Sequence, residues 1–140
     1  MTSQSENEPR SADGRSLDAS RARSNLIAER NGYILFCPTG IYTIGEVEAQ
    51  FEQLRHRLAI QRKTGQPVKV LIDVRQAAVQ PKETAAYIQE HTDQLYDASD
   101  SVVILVEGPI QKLQMKRVAA GRTYQIVQSL AEAEAYLGVR

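Results

Sequence analysis

The chain has 140 residues and a mass of 15.6 kDa, enough for one ordinary domain. Lys and Arg number 17, as do Asp and Glu, so the net charge is zero and no field over the whole molecule favours nucleic acid or a membrane surface. Its longest apolar runs, 33–37 and 102–106, fall far short of the roughly 20 residues that span a bilayer, and the single cysteine, Cys37, excludes an internal disulfide and a multi-cysteine zinc site.

Residues 1–24 mix serines with Glu6, Glu8, Asp13, Asp18 and four arginines, and hold few apolar side chains. Such a stretch buries too little surface to offset the entropy of ordering it, so it is expected to be a disordered tail. It has no apolar core of a secretory signal, and its acids argue against a transit peptide. A cytoplasmic location is expected, and the lone thiol agrees with it.

Residues 25–140 are expected to form one domain. Asn25–Arg30 and 33–37 flank Asn31-Gly32, the preferred two-residue turn for an antiparallel hairpin, because both turn positions require positive φ. Thr43 and Glu46 then have capping-box spacing, and Val47, Phe51, Leu54 and Leu58 recur as one helical stripe. Gly65-Gln66-Pro67 ends that helix. Residues 68–75 (VKVLIDVR) read as a strand. A second helix opens at Gln80-Pro81, with Ala85, Ile88 and Leu95 expected inward and Thr84 and His91 at the edges of that face. Residues 101–107 (SVVILVE) are the strongest strand, and Gly108-Pro109 begins a third helix closed by Gly121. A last strand over 122–127 leads to a final helix, Leu130–Leu137, capped by Ser129 and Glu132 and ended by Gly138.

The order β-β-α-β-α-β-α-β-α predicts an α/β fold: an N-terminal β-hairpin followed by repeated βα units in a mainly parallel five-stranded sheet. In 68–75, Val68, Val70, Ile72 and Val74 alternate with Lys69, Leu71, Asp73 and Arg75. A parallel strand covered on both sides reads as continuously apolar, so the alternation predicts helices crowded on one face and a thinly covered second face. That face is a candidate surface for a partner or a second copy.

The hairpin ending in Pro38-Thr39-Gly40, the long first helix, the VLIDVRQA strand and the terminal SLAEAEAYL helix together resemble the STAS family, the anti-sigma-factor antagonist fold, over residues 26–137. Stand-alone bacterial STAS-like domains, also compared with a lipid-binding fold, are the nearer likeness. The resemblance implies a small cytoplasmic module that binds a partner protein, often under phosphorylation control. The switchable members carry an Asp-Ser-(Ser/Thr)-Gly turn after this strand. Here 79–84 reads VQPKET, so the serine is absent and Thr84 is the nearest hydroxyl.

No phosphate-cradling glycine motif occurs. His56 lies between Arg55 and Arg57, and the neighbours Glu90 and Asp93 do not share a helical face with His91. Cys37 reads as a small core hydrophobe. Lys112 and Lys116 share a helical face, and Arg117 and Arg122 follow, a candidate anion or acidic-partner patch. Without interleaved aromatics it does not suit single-stranded nucleic acid. The expected function is therefore a non-enzymatic regulatory or protein-interaction module, with no catalytic residue, metal or cofactor, and without the family's serine switch. Its partner is another protein or itself. The partner-binding residues are Asp73, Arg75, Pro81, Lys82, Thr84, Gly108 and Pro109, at strand carboxyl ends, where α/β sheets form their binding crevice. The alternative is a small-molecule or lipid carrier.

Overall fold

The computed structural model describes residues 25–30, 32–119 and 124–139. The tail, the turn residue Asn31, the stop at Gly121 and the patch residue Arg122 lie outside the described residues.

The hairpin strands are β1 (Asn25–Arg30) and β2 (Tyr33–Pro38). They pair antiparallel from Asn25–Pro38 to Arg30–Tyr33, with Gly32 in the turn at φ 87°. Helix α1 (Ile44–Lys63) starts with both halves of the predicted capping box. Thr43 Oγ1 accepts from the Glu46 amide at 3.1 Å, and Glu46 Oε1 accepts from the Thr43 amide at 2.8 Å. Then follow β3 (Lys69–Asp73), α2 (Lys82–Thr92), β4 (Ser101–Leu105), α3 (Pro109–Val118), β5 (Gln125–Val127) and α4 (Leu130–Leu137). Gly138 ends α4 at φ 73°, a left-handed position that suits glycine. No helix among the described residues is long and apolar enough to cross a membrane.

The five strands lie in chain order, β1-β2-β3-β4-β5, with β1 antiparallel and the rest parallel. Right-handed crossovers between strands laid down in order all fall on one side. Accordingly α1 and α2 pack on the face bearing Ile34, Phe36, Val70 and Val102, and Met115 of α3 joins Ile104 and Val106 on that same face. The predicted stripe Val47, Phe51, Leu54 and Leu58 is buried there, together with Gln50.

The second face corrects the expectation of thin cover. Helix α4 follows the edge strand β5 and does not link two strands of the described sheet, so the handedness rule does not hold it with the other three. It packs Ala133 and Leu137 onto Leu71, Val103, Leu105 and Val127, and Tyr33 Oη donates to Glu134 Oε2 at 3.1 Å. Leu71, Val103 and Leu105 are fully buried. One short helix thus suffices for the centre of this face, and the polar positions Lys69 and Asp73 fall at the two ends of β3. A second correction concerns α2. Ala85 is exposed, whereas Thr84 is buried and Tyr87 and Ile88 are half-buried, so the inward face is rotated from the predicted one. Leu95 is buried as expected, beyond the helix end.

If α4 is the cover of the second face, Leu137→Ala should lower unfolding free energy by about 2–5 kcal/mol. Tyr136→Ala, at the half-exposed neighbour, should change it by no more than about 0.5 kcal/mol. Urea denaturation of the two variants checks this, and equal effects would contradict the assignment.

Candidate functional site

The carboxyl ends of β2, β3 and β4 open onto one rim built from the segments that lead into α1, α2 and α3. Two of these segments are joined. Gly40, at φ 81°, forms a parallel bridge with Ala77. Its amide donates to Gln76 O at 3.5 Å, and its carbonyl accepts from the Ala78 amide at 3.4 Å. The Gln80 carboxamide closes the junction: its Nε2 donates to Gly40 O at 2.8 Å and Ala78 O at 2.9 Å, and its Oε1 accepts from the Tyr42 amide at 2.9 Å. The third segment is tied in by Gln111 of α3, whose Nε2 donates to Val74 O at 2.7 Å and whose Oε1 accepts from the Glu107 amide at 2.6 Å.

This bonding leaves three large apolar side chains in solvent at the rim. Ile41 is 56% exposed, Val79 78% and Ile110 77%. Ile41 and Val79 directly follow the bonded residues Gly40 and Ala78, so their backbones are anchored while their side chains face out. Sequence patterning misses them, because isolated apolar residues in loops carry no period. Gln80 and Gln111 are missed as well, since their partners lie 40 and 37 residues away in the chain.

The expected site residues divide. Pro81, Lys82 and Pro109 are exposed at the rim, and Gly108 is half-buried there as the residue capping α3. Arg75 is exposed, but its guanidinium is held by Asp73: Nε donates to Oδ1 at 3.0 Å and Nη2 to Oδ2 at 2.9 Å, and the Arg75 amide adds a bond to Oδ1 at 3.1 Å. Thr84 does not reach the surface. It is 5% exposed and its Oγ1 donates to Tyr42 O at 3.3 Å, so this hydroxyl serves to dock α2 beneath the β2–α1 segment. In the basic patch, Lys116 and Arg117 are exposed and Lys112 half-buried.

Electrostatics set the character of the remaining polar groups. Burial pushes the Asp73 carboxyl up, but the hydrogen bonds and charge of Arg75 outweigh it and hold the group below its usual range. Cys37, half-buried at the end of β2, is pushed up by burial and by the Asp73 carboxylate, which keeps it a neutral thiol near pH 7. His56 is exposed on α1. His91 stacks on Tyr87 with ring centroids 3.8 Å apart, and its Nδ1 donates to Tyr87 O at 2.9 Å. Among the described residues, no group of three or more His, Cys, Asp or Glu side chains is placed to hold a metal ion.

Comparison of the chain with protein-family models gives no match, and comparison with curated protein sequences gives no significant one. The structure therefore establishes an α/β fold with a five-stranded mixed sheet, an N-terminal hairpin and successive βα units.

The Asp73–Arg75 pair has a pH signature. A carboxyl depressed in the folded state adds stability that is present above its unfolded pKa, about 3.9, and is lost as pH falls through the lower folded value. Asp73→Asn should cost about 1–2 kcal/mol at neutral pH, and the gap from wild type should close as pH drops below about 4. Urea melts across that range check it; a gap that persists in acid would contradict the assignment.

Proposed function

We propose that the protein is a non-enzymatic interaction module of STAS-like fold that binds a partner protein at the strand-end rim. The single observation that carries this reading is the pair of anchored segments presenting Ile41 and Val79 to solvent. Apolar side chains on a pre-ordered backbone can be buried by a partner with little further loss of chain entropy, the condition under which a small contact yields useful affinity. Exposed Arg75 and Lys82 flank Val79 along the chain and supply polar groups of the kind expected at an interface rim, with Pro81 exposed between Val79 and Lys82.

The polar groups nearby favour recognition over bond-making. Asp73 is engaged by Arg75, Cys37 is a neutral thiol, and the Thr84 hydroxyl is buried and bonded. A phosphoryl donor would have to unseat the start of α2 to reach Thr84, which agrees with a module lacking the serine switch of the family it resembles. Asp73 and Thr84 thus support the site from within, while Arg75, Pro81, Lys82, Gly108 and Pro109 remain its proposed contact residues. A cytoplasmic setting is part of the same proposal.

The test is affinity chromatography on the immobilised full chain with extract of its own host. A protein retained in stoichiometric amount by wild type and lost from Ile41→Ser/Val79→Ser is expected. Self-association lost in that variant would identify a second copy of the chain as the partner. Retention indifferent to the substitutions would contradict the reading, as would a bound lipid found by native mass spectrometry, the outcome a carrier predicts.

A further inference from the structure

The sequence from Gly108 to Ala131 contains no acidic residue, and Lys112, Lys116, Arg117 and Arg122 all fall within it. In a chain of zero net charge, this is a strong local imbalance. Helix α3 carries three of these cations. Its rotation is set from the inside: Gln111 is bonded to Val74 and Glu107, and Met115, one turn on, packs against the cluster containing Val74, Ile104 and Val106. With about 100° between successive residues, Leu113 and Arg117 then project away from the sheet, flanked by Ile110 and Lys116, with Lys112 at the edge. Leu113 is 55% exposed, and with Ile110 it makes an uncovered apolar pair three residues apart on one face. Among the described residues, the ion pairs Glu52–Arg55, Arg62–Asp97, Arg62–Asp100 and Asp73–Arg75 lie elsewhere.

We propose that the outward face of α3 is a docking strip for an acidic amphipathic segment of the partner protein. Apolar side chains of that segment cover Ile110 and Leu113, and its carboxylates lie along Lys112, Lys116 and Arg117. The inference rests on the interaction-module reading and gives that partner a chemistry. Charge complementarity selects the occupant. The apolar pair occupies the amino-terminal half of the helix and Lys116 and Arg117 the other half, so the strip has a lengthwise order that a peptide of matching order satisfies. From Ile110 to Arg117 the rise is roughly 10 Å, which confines the motif to about two helical turns. A membrane surface fits less well, because it calls for cations on both flanks of a larger inserted apolar face. A nucleic acid backbone would leave Ile110 and Leu113 without a counterpart.

The probe is a displayed library of random twelve-residue peptides selected against the full-length protein. Enriched peptides should combine clustered Asp and Glu with at least two large apolar residues. Their binding should weaken by about tenfold in Ile110→Ser/Leu113→Ser, and should fall with added salt and in Lys116→Glu/Arg117→Glu. All substituted side chains are exposed or half-exposed, and thermal unfolding confirms that the variants remain folded. Failure to enrich peptides, or enrichment of neutral or basic ones, would overturn the proposal. So would co-sedimentation with phosphatidylserine-containing vesicles that depends on the same residues, which would assign the strip to a membrane. Acidic peptides that ignore the α3 substitutions but are lost with Ile41→Ser/Val79→Ser would overturn the α3 strip and leave the rim reading standing.

Discussion

Strand order sets most of this molecule. Because β2, β3, β4 and β5 are laid down side by side in chain order, each right-handed connection returns over the same face, and three helices share one side of the sheet. The other side can be covered only by chain that comes before or after the crossovers. Helix α4 does this with Ala133 and Leu137 against Leu71, Val103 and Leu105. The interior is thus two apolar layers separated by the sheet, and the alternation of residues in β3 sorts them: Val70 and Ile72 to one layer, Leu71 to the other.

The same constraint gathers the segments leading into α1, α2 and α3 at one end. Their polar groups are spent largely on one another. Gln80 joins two segments and Gln111 ties in the third, while Asp73 and Arg75 pair. Order is achieved there by hydrogen bonding, without burying Ile41, Val79 or Ile110. That separation between how the rim is held and what it shows to solvent is the physical basis for reading it as a recognition surface.

Local chemistry made much of the fold readable before any coordinates. The Thr43–Glu46 and Ser129–Glu132 caps, the glycine stop at Gly138 and the stripe Val47, Phe51, Leu54 and Leu58 depend on neighbours within a turn or two, and they fall where the spacing puts them. The position of α4 did not follow from the pattern, since nothing local tells a terminal helix which face to choose. The inward face of α2 was misjudged for a related reason: the buried Thr84 bonds Tyr42, 42 residues earlier, and this tertiary contact outweighs the preference for placing Ala85 inside. Of the expected site residues, Pro81, Lys82, Gly108 and Pro109 lie at the strand-end rim, a position that follows from the turn punctuation of the sequence. The apolar rim and its two glutamine ties were not, because they arise only where separate segments meet.

The central claim, that a protein partner covers the strand-end rim, is tested most directly by site-specific photo-cross-linking in the native host. A photoreactive side chain placed at Val79 should give a discrete protein adduct, whereas the same group at Ile60, exposed near the far end of α1, should give none. Equal labelling at both positions, or no adduct at Val79, would contradict the account.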